Sequence, residues 1–440
     1  MMMAEGKKSG FRGINIPSDE LLNNCIHCGL CLPTCPTYSL TGLEKSSPRG
    51  RIRIIKGVAE GTLSISREFV YEMNFCLDCQ ACETSCPAGI KYGSLVEAAR
   101  AQIYQEKYEG RLAHYSKKIL LGWLFESHGR LKRAARILRL IQTSYIQSLI
   151  GIGKEFRVFP RKISNSNSLA PKISKSYSSD TLHESITPNI HSRYKVILLT
   201  GCVMDVAFAD INEDTVQLLL HHGCEVIVPR EQQCCGSLQA HNGDIASARR
   251  LAQHNTELFS RYDFDYIVMN SAGCGAYMKE YGEIFRDDTR FAEKANSISK
   301  RVRDLTEFLN DTGFHPALNR NENPFFGKKV TYHDACHLVH AQHISEQPRK
   351  LIKSIAGIEY IELRESTWCC GSAGIYNITH YNDSMQILRR KIDNIKQAGP
   401  DIVITGNPGC LIQILHGLNQ EKMHIELLHT ATFLRRACGV

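Results

Sequence analysis

Short apolar runs alternate with amphipathic stretches throughout the second half of the chain. In the first part of this region the runs are Lys195–Thr200, Cys224–Val228 and Tyr266–Asn270, with helix-like patterns between them. Strand-like runs that alternate with helix-like stretches are typical of α/β units with mostly parallel sheets. The pattern therefore predicts an α/β module over residues 193–312.

The same order of runs returns in the last third of the chain and indicates an internal duplication. Each copy has a cysteine after its first apolar run, a Cys-Cys-Gly triplet after the second run and another cysteine after the third. These cysteines are Cys202, Cys234, Cys235 and Cys274 in the first copy, and Cys336, Cys369, Cys370 and Cys410 in the second. Their offsets from the first cysteine are 32, 33 and 72 residues, then 33, 34 and 74. The duplication predicts a second α/β module over residues 326–440.

The cysteines of each copy follow predicted strands, and parallel sheets commonly build sites at the strand ends. Four thiolates from three loops can hold a further iron–sulfur cluster or a zinc ion, or form a redox-active disulfide. We favour a cluster, and the residues alone leave the three alternatives open. Polar side chains also surround Cys336, where they can tune a cluster or relay protons to a quinone, or cap a strand-to-helix loop. These are His333, Asp334, His337, His340 and His343.

Two cysteine runs of identical spacing precede the modules. The first contains Cys25, Cys28, Cys31 and Cys35 before Pro36, and the second contains Cys76, Cys79, Cys82 and Cys86 before Pro87. This is the ferredoxin pattern for [4Fe–4S] clusters, in which the fourth cysteine of a run ligates the other cluster. We therefore predict a helical two-cluster ferredoxin-type domain over residues 1–110. One cluster is assigned to Cys25, Cys28, Cys31 and Cys86, and the other to Cys76, Cys79, Cys82 and Cys35. Structural zinc would leave the third and fourth cysteines of each run unexplained.

Basic residues follow each part of this domain. Arg49, Arg51 and Arg53 lie between the runs and either offset the negative charge of ligated clusters or form a solvated basic turn. A basic helical segment over residues 111–153 contains Trp123. It predicts contact with an anionic membrane surface or a partner subunit, or a helix packed on its own domain. A Ser-rich stretch over residues 154–192 predicts a flexible linker.

Composition narrows the class of protein. The 440 residues include 18 cysteines and have a formal net charge of +8. Clustered thiols in a large chain favour metal binding in a reducing compartment, so we expect a cytoplasmic protein. No secretory signal or apolar stretch of membrane-spanning length is present in the sequence, and no nucleic-acid-binding motif accompanies the modest positive charge.

The chain resembles the iron–sulfur subunits of glycolate oxidase (glycolate dehydrogenase). The resemblance rests on the segments Cys25–Tyr38, Ser47–Ile52 and Cys76–Pro87 and on both Cys-Cys-Gly modules. Related subunits serve lactate oxidation, glycerol-3-phosphate oxidation and heterodisulfide reduction. The signature of the heterodisulfide reductases ends in Cys-x-x-Cys, whereas Ser271 and Asn407 replace the first cysteine of that pair here.

The resemblance implies an electron-transfer subunit without catalytic residues of its own. FAD-containing partner subunits would oxidise glycolate to glyoxylate, and this chain would pass the electrons toward membrane quinone, with peripheral membrane contact. The sequence has no Gly-x-Gly-x-x-Gly fingerprint, which agrees with FAD on a partner. The alternatives are the equivalent subunit of a lactate or glycerol-3-phosphate dehydrogenase, and a disulfide reductase that acts at a Cys-Cys pair.

Overall fold

The computed structural model describes residues 10–12, 16–17, 19–143, 168–316 and 323–440. The chain forms two compact units. Residues 1–123 and 237–248 make up the first unit, and residues 124–236 and 249–440 make up the second. The end of the predicted basic segment and the first third of the predicted linker, together residues 144–167, lie outside the described residues.

The first unit is built from helices around one small core. The helix Pro48–Ala59 starts with a proline in its first turn and with the Ser47 hydroxyl accepting from the Gly50 N–H, both typical helix-start features. Ile55 and Val58 of this helix pack in the same buried cluster as Leu95. The α-helices are Asp19–Asn23, Pro36–Thr41, Pro48–Ala59, Arg67–Phe75, Ala81–Thr84, Tyr92–Gln105, Arg111–Lys117 and Ser237–Ala240, with a 3₁₀ turn at Glu44–Ser46 and a π-helix at Lys118–Leu124.

The second unit contains two sheets, one for each predicted module. The first sheet consists of β1 (Ser185–Ile186), β2 (Tyr194–Leu198), β3 (Cys224–Ile227), β4 (Tyr266–Met269) and β5 (Val302–Asp304). The second consists of β6 (Lys329–Tyr332), β7 (Glu359–Tyr360), β8 (Ile402–Thr405) and β9 (Glu426–His429). The strand orders are β1-β3-β2-β4-β5 and β7-β6-β8-β9. Every pair is parallel except β1 with β3, as predicted for repeated α/β units.

Helices cover both sheets. They are His128–Thr143, Ser178–Thr181, Val203–Ala207, Ala209–His221, Ile245–Phe259, Ala272–Lys279, Tyr281–Ile284, Ala292–Arg301, Leu305–Asp311, Glu346–Lys353, Tyr376–Thr379, Tyr381–Ala398, Pro408–Gln420 and Thr430–Ala437, with a π-helix at His337–Ala341. One buried apolar cluster includes Val196 of the first sheet and Val330 of the second, so the two modules share a core. None of the described helices is long and apolar enough to cross a bilayer.

The modules repeat each other down to their final helices. The Asp304 carboxylate accepts from the Thr306 N–H at 2.8 Å and starts one final helix. At the same place in the second module the His429 imidazole accepts from the Ala431 N–H at 3.1 Å. Side chains that satisfy free N–H groups stabilise helix starts.

The prediction of a flexible linker is wrong for residues 168–192. Ile173 and Tyr177 pack in a buried cluster with Leu131 and Ala135 of the helix His128–Thr143. The Ser178 hydroxyl accepts a hydrogen bond at 2.9 Å from an asparagine amide. A few apolar residues among the serines are enough to fix this stretch, because each finds a partner in the first module.

Candidate metal centres

The two N-terminal cysteine runs adopt the same unusual backbone turn. His27 and Gly29 have φ values of 54° and 86°, and Asp78 and Gln80, at the equivalent places in the second run, have 54° and 59°. A left-handed conformation costs an L-residue roughly 1–2 kcal/mol, and such residues cluster at functional sites. The repeated turn curls each run so that successive thiols can face one centre.

The fourth cysteine of each run lies with the three cysteines of the other run. One cavity is lined by the thiol-bearing residues Cys25, Cys28, Cys31, Cys82 and Cys86. On the other side, burial raises the pKa of Cys82, and the neighbouring thiolates of Cys79, Cys76 and Cys35 raise this pKa further. Each fourth cysteine thus lies near cysteines of the other run, and the crossed ligand sets stay a prediction.

Hydrogen-bond donors and a buried cation surround the second of these sets. The Tyr92 hydroxyl lies 3.5 Å from the Cys76 sulfur, and the Thr37 hydroxyl lies 3.3 Å from the Cys35 sulfur. Arg51 is fully buried, donates to Thr37 at 3.0 Å and lies 3.4 Å from the Glu72 carboxylate. Burial opposes its charge, yet electrostatic interactions with Tyr92, Cys76, Cys35 and Glu72 raise the pKa of Arg51.

The other two arginines of the basic turn differ from Arg51. The Arg49 guanidinium donates to the His27 carbonyl at 2.9 Å and pairs with Glu44, so it braces the first cysteine run. Arg53 is exposed. The turn therefore divides into a buried cation, a loop brace and a solvated residue.

The spacing of the thiols fits a cluster better than a single ion. Among the residues that the structure describes, two groups place three potential ligand atoms within 4.8 Å of one another, namely Asp78 with Glu97 and His241, and His333 with Cys370 and Cys410. The eight N-terminal cysteines form no such group. Ligands on four corners of a cubane are farther apart than ligands of one ion, so the eight thiols suit [4Fe–4S] clusters.

The Asp78 group is an ion-pair network. His241 lies 3.3 Å from Asp78 and 2.6 Å from Glu97, and Arg100 lies 3.6 Å from Asp78. Burial opposes protonation of His241, but hydrogen bonds to Asp78 and Glu97 raise its pKa to about 10. Two cations therefore already balance the two carboxylates. Arg100 also donates to the His241 carbonyl at 2.9 Å and to the Cys76 carbonyl, which braces the second cysteine run.

In the first module the predicted cysteines meet beyond the carboxyl ends of β2 and β3. The sulfurs of Cys202 and Cys234 are 3.6 Å apart, and the Cys235 thiol contacts both Cys234 and Cys274. Hydrogen bonds with the thiols of Cys202 and Cys235 lower the pKa of Cys234. The glycine of the triplet, Gly236, has a φ of +96°, which favours glycine.

The second module repeats this arrangement. The sulfurs of Cys370 and Cys410 are 3.5 Å apart, and a hydrogen bond to the Cys369 thiol raises the pKa of Cys336. Gly371 has a φ of +91°, and a Cβ there would lie 2.8 Å from the Ser384 carbonyl oxygen. The triplet glycine is thus required twice, by conformation and by close approach.

The polar residues around Cys336 do not act as one group. His333 is buried beside Cys370 and Cys410. Asp334 is held by both terminal nitrogens of Arg349, at 2.8 and 2.6 Å, which is a structural ion pair. The remaining members of the set are the half-buried His337, the buried His340 and the exposed His343.

Three residues near these sites were missed at the level of the sequence. His128 is half-buried, lies 3.9 Å from Asp205, and acts electrostatically on Cys234. Lys391 is buried next to the second module's thiols, and its burial lowers its pKa to about 8. His241 lies between Cys235 and Cys274 in sequence, yet it pairs with Asp78 and Glu97. Nothing in the local pattern marks any of these residues, because their neighbours come from distant parts of the chain.

The chain matches two protein families. Residues 21–90 match the family described as 4Fe-4S dicluster domain, and residues 196–279 and 330–415 match the cysteine-rich domain family. The predicted fold class and the two [4Fe–4S] clusters are thereby confirmed.

Curated relatives align along most of the chain. It is 37% identical over 425 residues to the probable glycolate oxidase iron–sulfur subunit of Bacillus subtilis (strain 168), covering 96% of this chain and 94% of the relative. It is 28% identical over 420 residues to the glycolate oxidase iron–sulfur subunit of Escherichia coli (strain K12), covering 94% and 95%. A lactate utilization protein A of Exiguobacterium sp. (strain ATCC BAA-1283 / AT1b) is 31% identical over 239 residues, covering 54% and 96%.

Proposed function

Because the chain belongs to the family of glycolate oxidase iron–sulfur subunits, we propose that it relays electrons from glycolate oxidation. In this proposal an FAD-containing partner subunit oxidises glycolate to glyoxylate, and this chain delivers the electrons toward membrane quinone. The interleaving of the two cysteine runs carries the proposal, because it brings two centres into one small domain. The substrate and the FAD-containing partner are taken from the family likeness.

We propose the eight N-terminal cysteines as the cluster ligands, in the crossed sets predicted from the spacing. The first set is Cys25, Cys28, Cys31 and Cys86, and the second is Cys76, Cys79, Cys82 and Cys35. The cavity shared by the first set and the electrostatic coupling within the second support this assignment. When bound, the clusters supply one-electron redox chemistry.

The surrounding residues adjust how readily a cluster held by the second set accepts an electron. Hydrogen bonds to ligand sulfur and nearby positive charge favour the reduced, more negative state. The Asp78 N–H lies 3.3 Å from the Cys76 sulfur, and Arg51 lies behind Cys35 and Cys76. We propose that these groups raise the potential of the second centre.

We also propose that residues 111–123 touch the cytoplasmic surface of the membrane. Leu112 is 87% exposed and Ile119 is 60% exposed, and Leu120 and Trp123 are also exposed. Lys118 is exposed among them. Apolar and aromatic side chains next to lysine suit an anionic bilayer surface. The following helix is a weaker candidate, because Arg139 donates to the carbonyls of Ser174 and Lys175.

The first experiment measures iron, sulfide and EPR on anaerobically purified chain, alone and in the complex isolated through a tag on this chain. We expect about eight irons per chain with [4Fe–4S] signals, since two clusters contain that number. Glycolate should reduce these clusters in the complex, while lactate and glycerol 3-phosphate should not. Reduction by either of the other substrates and not by glycolate would assign the chain to a different dehydrogenase.

The membrane contact is tested by flotation with vesicles. Replacement of Ile119 and Trp123 by serine should reduce binding to anionic vesicles, with little binding to neutral vesicles in either case. Serine at Ile378, an exposed isoleucine of the second unit, is the matched control. Equal flotation of all three proteins would contradict the proposed surface.

A further inference from the structure

The two modules differ at one buried position beside their thiols. His333 and Leu199 each lie three residues before the first cysteine of their module. The Leu199 N–H donates to the Val268 carbonyl, and the His333 N–H donates to the Ile404 carbonyl, each on the neighbouring parallel strand. The two residues are therefore structurally equivalent, and the second module has an imidazole where the first has an isobutyl group.

The imidazole of His333 is buried and faces sulfur. It is 1% exposed, and one of its nitrogens lies within 4.8 Å of the sulfurs of both Cys370 and Cys410. Neither ring nitrogen has a partner at hydrogen-bond geometry, although the Ser366 backbone is near enough to interact weakly. A buried polar group without a full hydrogen bond costs free energy and calls for an explanation.

The distances suit one tetrahedral ion. Zinc–sulfur bonds of about 2.3 Å in a tetrahedron place two thiolates about 3.8 Å apart. The sulfurs of Cys370 and Cys410 are 3.5 Å apart. The thiol of Cys369 contacts that of Cys370, and Cys336 contacts Cys369, so two further thiols lie next to the group of His333, Cys370 and Cys410. The Ser366 carbonyl would then accept from the other ring nitrogen, an arrangement common for histidine ligands.

We propose that the second module binds a single zinc ion through His333, Cys370, Cys410 and one of the thiols of Cys336 and Cys369. The ion joins the end of β6 to the Cys-Cys-Gly loop and to the helix after β8. The first module, with Leu199 at the equivalent position, has thiol ligands only. This site is separate from the N-terminal clusters and does not depend on the proposed electron relay.

The test uses the full chain with zinc and cobalt as probes. Anaerobic protein should contain one zinc per chain in addition to the iron of the N-terminal clusters. Zinc-edge X-ray absorption should show one nitrogen at about 2.0 Å and three sulfurs at about 2.3 Å. This measurement needs no variant, and a shell of four sulfurs or of oxygen atoms would overturn the assignment of His333.

Variants provide an independent readout. His333→Leu copies the first module and should weaken zinc binding by more than ~100-fold in competition with a chelator, beyond the effect of losing a hydrogen bond to a ligand. His333→Cys should retain the ion and shift the spectrum of bound Co²⁺ toward all-sulfur ligation. A merely structural histidine would not be rescued in this way. His343→Leu, at an exposed position, is the control.

Two outcomes would overturn the site while leaving the proposed function intact. The first is unchanged zinc affinity and an unchanged Co²⁺ spectrum in His333→Leu. The second is iron above the N-terminal complement that disappears in Cys370→Ala, which would assign a cluster to the second module. The EPR signals of the N-terminal clusters should stay constant in all of these variants.

Discussion

The N-terminal cysteine runs and the cysteine-rich modules bring thiols together by opposite routes. In the first unit, three thiols of each set lie within a few residues, on loops shaped by left-handed turns. In the modules, the thiols come from positions up to 74 residues apart and meet at the ends of parallel strands. In a local run the spacing of the cysteines determines which ligands lie together. At the ends of parallel strands the ligands depend on which side chain each strand or loop carries there. The pair Leu199 and His333 illustrates this freedom.

The largest predicted effect tests whether the first unit pairs its ligands across the two runs. Cys35→Ala should lose one cluster, about four of about eight irons. Adding Cys79→Ala should cost no further iron, because both residues belong to the same proposed set. Adding Cys28→Ala should remove both clusters, because Cys28 belongs to the other set. Iron analysis and EPR of the three proteins check this prediction.

The two double variants control for each other, since each removes two N-terminal thiols. Cys224→Ala, which changes a thiol buried in β3, should leave the iron content unchanged. If the Cys35 and Cys28 double variant kept one intact cluster, each run would hold its own cluster. The contrast between local loops and distant strand ends would then be even sharper.

The local route explains why the N-terminal domain could be predicted so fully. The spacing predicts both proposed sets, because the first three cysteines of each run lie only three residues apart, and the sets stay a prediction. In the modules the sequence predicted the duplication, the strands and the thiols, because apolar periodicity and repeated offsets are visible in one dimension. The same reading could not single out His333 from Asp334 or His343. Their different roles depend on where the fold places each side chain, since His333 and Asp334 follow β6 directly and His343 follows the π-helix His337–Ala341.

Two further elements were beyond sequence reasoning for the same reason. Residues 168–192 lack a regular apolar period, yet Ile173 and Tyr177 pack against buried residues of the helix His128–Thr143. His241 interacts with Asp78, 163 positions earlier in the sequence. Pairings at such distances leave no local pattern.

The second prediction concerns Arg51, the buried cation beside the N-terminal cysteine runs. Arg51→Met should destabilise the first unit by about 3 kcal/mol, because it leaves the Glu72 carboxylate buried without its cation. It should also make the potential of the second cluster more negative. Arg53→Met, on the same helix but exposed, should change neither property. Urea unfolding and EPR-monitored redox titration measure the two effects, and equal results for both variants would remove Arg51 from the site.

The smallest predicted effect concerns the helix caps, where the modules also differ. His429 accepts from the Ala431 N–H through Nδ1 and lies 2.9 Å from the Asn270 carbonyl through Nε2, so its neutral form is the one that fits. Burial lowers the pKa of His429 from 6.5 to about 4. Because the folded pKa lies below the unfolded one, this stabilisation is present above pH 6.5 and is lost as the pH falls toward 4.

Between pH 7 and pH 5 the contribution of His429 to the free energy of unfolding should fall by about 2 kcal/mol, as the folded and unfolded pKa values require. His429→Asn keeps a side-chain oxygen that can cap the helix but cannot titrate. The variant should therefore be less stable than the native chain at pH 7, and this difference should shrink at pH 5. His424→Asn, an exposed change just before β9, controls for general effects of acid. Urea midpoints at both pH values check the prediction, and a constant difference between His429→Asn and the native chain would show that the cap is insensitive to protonation.

Asp304 fills the same place in the first module with a carboxylate whose pKa burial raises to about 6. Its contribution has the opposite dependence and weakens as the pH rises from about 4 through 6, so acid should act differently on the two halves of one duplicated frame.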